Sequence, residues 1–64
     1  MQLAEFEKRI TDAAESLQLC AQYIKRNDAF EVECFLKQAQ KDLTGCITFA
    51  NDWADAQEEG IANA

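Results

Sequence analysis

The chain has 64 residues, enough for one small domain. Twelve acidic and six basic residues give a net charge of −6, which disfavours a general grip on nucleic acid or an anionic membrane. There is no histidine, and the three cysteines stand 14 and 12 residues apart, so neither the close ligand pairs of a zinc site nor the even count of a disulfide framework is present.

The first element is a long helix, expected over about residues 2–27. No proline interrupts it, and apolar residues recur at alternating steps of three and four: Leu3, Phe6, Ile10, Ala13, Leu17, Cys20 and Ile24. This is a heptad seam, with Leu3, Ile10, Leu17 and Ile24 at position a and Phe6, Ala13 and Cys20 at position d. Lys25 and Arg26 fall in the last turn, where cations suit the helix dipole.

A tight turn follows at residues 27–29. Asn27 tolerates the left-handed conformation that ends helices. Asp28 is a good N-cap, with Glu31 three residues on. So short a connection makes the flanking helices antiparallel neighbours.

The second helix is expected over about residues 29–58. Its seam is Val32, Leu36, Ala39, Leu43, Cys46, Ala50 and Trp53. Gly45 interrupts this pattern at an outer position, a place for a bend or for the close approach of a partner. Gly60 supplies a stop, leaving residues 60–64 as a frayed tail. The whole is a single all-α hairpin domain.

Large a residues alternating with small d residues suit interdigitation in a four-helix bundle. A two-helix hairpin cannot enclose a core, and small chains without disulfides or metals gain stability by oligomerising. Homodimerisation into a four-helix bundle is therefore expected, with Leu3, Phe6, Ile10, Leu17, Ile24, Leu36, Leu43, Cys46 and Trp53 as its core. Cys34, at the outer f position, is a surface thiol.

The turn pair Asp28 and Ala29, the late stretch Cys46, Ile47, Thr48 and Phe49, and the length, acidity, small-residue layers and core cysteines resemble the Rop family. These are plasmid-encoded helical hairpins that dimerise and modulate the pairing of two RNA stem-loops. The resemblance implies a dimer and an RNA-binding face on helix 1, where Lys8, Gln18, Gln22 and Lys25 stand. The family's exposed mid-helix Phe has no counterpart on that face.

Apolar residues off the seam mark a second kind of surface. Leu19, Tyr23, Phe35 and Phe49 lie on the helix flanks, where they either widen the core or form a patch for a protein partner. The basic residues Lys8, Arg9, Lys25 and Arg26 group at the two ends of helix 1, an arrangement that could straddle phosphates. With no Gly-rich phosphate loop and no calcium loop, no catalytic residue is assigned, and no enzyme activity, metal or cofactor is expected. Purely apolar runs are two or three residues long, too short to cross a membrane. Free cysteines and the absence of a leader-like start fit the cytoplasm.

The expected function is that of a small acidic dimeric adaptor that binds and modulates another protein, for instance an inhibitor of the phage or plasmid accessory type acting on a host factor. A Rop-like RNA-binding modulator and a structural subunit of a helical assembly are the alternatives.

Overall fold

The computed structural model describes the backbone of residues 1–62 and the side chains of residues 1–58. The fold is all-α, with three helical segments: α1 (Leu3–Lys25), α2 (Ala29–Asp42) and α3 (Cys46–Ala62). No strand occurs among the described residues. α1 forms one arm of a hairpin, and α2 with α3 forms the other.

Cross-arm contacts pair early residues with late ones, so the arms run antiparallel. Cys20 Sγ donates to the Val32 carbonyl at 3.6 Å near the turn. The Arg9 guanidinium donates to the Thr44 carbonyl at 3.2 Å, and the Phe6 and Phe49 rings lie 4.8 Å apart near the free ends.

The turn is built as its residue types dictate. Asn27 has φ 56°, the left-handed region that asparagine tolerates. The Asp28 N–H donates to the Tyr23 carbonyl and the Asn27 N–H to the Ile24 carbonyl, both at 3.0 Å. Together these two bonds form a Schellman ending for α1. Asp28 then caps α2 by accepting from the Glu31 N–H at 3.2 Å.

The second arm is not the single helix over 29–58 that its periodicity predicts. It breaks at residues 43–45, where Gly45 takes φ 78°. A glycine in mid-helix forgoes about 1 kcal/mol relative to alanine, and only glycine enters this left-handed region without steric cost. The break leaves few carbonyls wanting. Thr44 Oγ1 donates to the Gln40 carbonyl at 3.3 Å, and Cys46 Sγ to the Asp42 carbonyl at 3.5 Å. The Thr44 N–H donates to Lys41, the Cys46 N–H to Leu43, and Arg9 reaches across to the Thr44 carbonyl.

A second difference lies at the far end. The backbone stays helical through Gly60 to Ala62, past the expected stop. A lone glycine weakens a helix but ends it only where the backbone turns left-handed. Residues 63 and 64 of the expected tail lie outside the described residues.

The hairpin is a plank of 53 × 17 × 15 Å with a radius of gyration of 15.8 Å. A compact domain of this length would have a radius of gyration near 11 Å. Burial is correspondingly thin. Ala13, Cys20, Ala39 and Cys46 are 2–4% exposed, Ser16 is 8% exposed, and among the described residues no large side chain is fully buried.

Candidate interaction surface

The seam divides into two parts with different neighbours. Residues turned between the arms follow the line Phe6, Arg9, Ala13, Ser16, Cys20, Tyr23 on α1, and Val32, Phe35, Ala39, Asp42, Cys46, Phe49 on the other arm. In heptad terms these are the d and g positions. The steps of three and four continue across the break, so α3 extends the line that α2 begins. Short side chains in mid-seam leave little bulk between the helices there.

The large a residues, and Trp53 at the last d position, point elsewhere. Leu3, Ile10, Leu17 and Ile24 of α1, with Leu36, Leu43 and Trp53 of the second arm, are 39–64% exposed. Together they form one apolar stripe along the open face of the hairpin. Two hollows mark its ends. One, of about 330 Å³, lies at the turn between Ile24, Val32 and Leu36, with Asp28 and Glu33 at its rim. The other, of about 440 Å³, lies near the free ends between Leu3, Phe6, Ile10 and Trp53, with Glu7 and Thr11 at its rim.

The nine residues named from the sequence as dimer core therefore separate. Seven lie exposed on this face. Cys46 is buried between the arms, and Phe6 is half-buried, with its ring against Phe49 and 6.2 Å from Trp53.

The four flank residues named for a protein partner sit differently from an open patch. Leu19, Tyr23, Phe35 and Phe49 are all half-buried. Tyr23 and Phe35 stack at 5.6 Å with their rings 16° from parallel, and Arg26 lies 5.4 Å from the Tyr23 ring centre. Their g positions face the opposite arm, which is why these rings stack across the hairpin. Among the described residues the most exposed large apolar side chains are Ile47 (85%) and Phe30 (71%), neither of which belongs to the heptad seam.

The basic residues are partly occupied. Lys8 pairs with Asp12 at 3.6 Å, and Arg9 with Glu5 at 3.2 Å in addition to Thr44. Lys25 and Arg26 make no ion pair among the described residues. On α2, the Glu33 carboxylate beside Lys37 at 2.9 Å accepts a hydrogen bond from the ammonium and raises its pKa.

Among the described residues, no group of three or more His, Cys, Asp or Glu side chains could hold a metal ion. None of the described helices is long and apolar enough to cross a membrane. No protein-family model, curated protein or solved structure matches the chain.

Proposed function

We propose that the protein acts as a homodimeric four-helix bundle, a small acidic cytoplasmic adaptor that binds and modulates another protein. The observation that carries this reading is the exposed apolar row, six residues at a with Trp53 at d. Seven large apolar side chains in register on one face of a hairpin are an interior without a second half. The surface area supports the same reading. The chain exposes 5158 Å², against about 4,100 Å² for a folded monomer of its mass. The excess, about 1,000 Å², is close to what each partner contributes to a standard interface, about 800 Å². A two-fold pair closes that face with one self-complementary patch.

The regulatory half of the proposal rests on charge. The net −6, and the pairing of Lys8 and Arg9 with carboxylates of their own helix, leave an acidic outer surface suited to a basic protein surface. The Rop-like alternative needs Lys8, Arg9, Lys25 and Arg26 to meet phosphates together, and two of the four are engaged within the hairpin.

Sedimentation equilibrium at micromolar concentration tests the assembly. The wild type is expected to be a dimer and Leu17→Glu a monomer, whereas a monomeric wild type would remove the proposal. Electrophoretic mobility with paired RNA stem-loops tests the function. No shift is expected at low salt. A shift that weakens steeply as salt rises would replace the adaptor reading with the RNA one.

A further inference from the structure

We infer that the open apolar face also seats a partner, an amphipathic helix with basic flanks, which takes the place of the second copy. This rests on the dimeric adaptor proposed above and names the partner's chemistry and how it is admitted.

The first observation is the charge along the edges of the face. At about 100° per residue, the e positions of the heptad border the a row on its outer side. They hold Glu7, Ala14 and Ala21 on α1, and Glu33, Gln40 and Ile47 on the second arm. None of the six basic residues stands at a or e: Lys8, Arg9, Lys25, Arg26, Lys37 and Lys41 fall at b, c, f or g. The two hollows repeat the pattern. The charged residues lining them are all carboxylates, Asp28 and Glu33 at the turn and Glu7 near the free ends. Glu33 is paired with Lys37, and Glu7 is in no ion pair among the described residues.

Self-pairing therefore sets carboxylate against carboxylate whichever way the copies run. With the copies parallel, Glu7 meets the other Glu7; with one reversed, it meets Asp28 and Glu33. A second copy matches this face in apolar character but not in charge. A helix whose apolar stripe is flanked by lysine or arginine matches it in both.

The second observation is shape. The face lies between two antiparallel helices, the seat of a third helix in a three-helix bundle. The row from Leu3 to Ile24 is about 32 Å long at 1.5 Å per residue, the length of a helix of about six turns. The hollows lie near the levels of Phe6 and Ile24, about 26 Å apart. A partner helix reaches both with bulky apolar side chains about 18 residues apart, which is about five turns and so one stripe of that helix. A helix laid along both arms is also of the size to cover the excess exposure of about 1,000 Å².

Partner and second copy use the same side chains, so each excludes the other. The homodimer is then the closed form, and partner binding converts it into one chain with one partner helix. The more of the chain is paired with itself, the more partner is needed to open it.

Two synthetic fluorescein-labelled helical peptides of about six turns test this on the full chain. Both carry the same stripe of leucine and phenylalanine; one has lysines beside the stripe, the other glutamates. Fluorescence anisotropy gives affinity and sedimentation velocity gives stoichiometry. The lysine peptide is expected to bind at least about tenfold tighter than the glutamate peptide, and to convert the dimer into a complex of one chain and one peptide. No binding of the lysine peptide, equal binding of the two, or a peptide carried by an intact dimer would overturn the inference while leaving the dimer in place. A wild type that sediments as a monomer before any peptide is added would remove the dimer, and the exchange with it. Charge variants separate this face from bulk attraction. Glu7→Gln with Glu33→Gln is expected to weaken the lysine peptide about fivefold and to strengthen self-association, two changes of opposite sign that a loss of folding does not produce. Glu15→Gln with Asp55→Asn makes the same charge change on the outer side and is expected to leave both within about twofold. An equal loss of peptide binding from the outer pair would place the peptide elsewhere and overturn the inference.

Discussion

At the scale of single residues, Gly45 turns a question of helix continuity into one of sign. In an unbroken helix, Gly45→Ala would stabilise by about 1 kcal/mol. At φ 78° the same change forces alanine into the left-handed region and is expected to destabilise by about 1–2 kcal/mol. The added methyl would meet only Met1 Cε, at an ordinary 3.8 Å, so backbone strain rather than crowding sets the cost. Chemical denaturation of the variant gives the sign directly. The break itself was half legible in the sequence: a glycine at an outer heptad position signals weakness, but the donors that make a full break affordable are not adjacent in sequence. Arg9 comes from the other arm. Arg9→Ala is expected to cost about 1 kcal/mol by removing a charged donor from an exposed carbonyl, read by the same denaturation experiment.

At the scale of elements, the periodicity located α1 and the turn to within about two residues, because the caps are local chemistry. Asn27 and Asp28 carry their roles in their own side chains. The periodicity also picked out the apolar seam, but not which of its faces each arm turns toward the other. A heptad pattern specifies a stripe and leaves its apportioning between neighbours to three-dimensional packing. The small d residues and the g flank went to the hairpin interface, and the large a residues to the outside. Tyr23 and Phe35 were therefore legible as apolar flank residues but not as a stacked pair. Substituting either with serine is expected to destabilise the hairpin, lowering helicity and melting temperature together. A variant with unchanged melting and impaired partner binding would return these two residues to the docking patch. Ala39→Leu is expected to destabilise by about 1–3 kcal/mol, since the arms meet on side chains no larger than cysteine there.

At the scale of the whole molecule, stability is expected to belong to the pair. The melting temperature should rise with protein concentration, as linkage requires when association stabilises the folded state. Calorimetry over a hundredfold concentration range tests this, and a concentration-independent cooperative transition would contradict it. Leu17→Ala and Leu43→Ala should each cost about 2–5 kcal/mol per chain even though both residues are exposed in the single hairpin. Glu15→Ala, on the outer surface, should cost less than about 0.5 kcal/mol. The contrast is informative because burial within one chain would rank all three as mild.

The short side chains between the arms also bear on time. Contacts within the hairpin join residues close to the turn first, and a pair of helices with so local a connection forms in microseconds to milliseconds. That closure fully buries only alanine, serine and cysteine and half-buries four aromatic rings, so it provides only part of the driving force. In the proposed dimer, the large a side chains are buried only on collision with a second copy. Refolding is therefore expected to be second order, its initial rate rising in proportion to chain concentration, and dilution should slow folding without changing the path. In a cell, a newly made chain would then wait in a helical but open form for as long as its own kind is scarce.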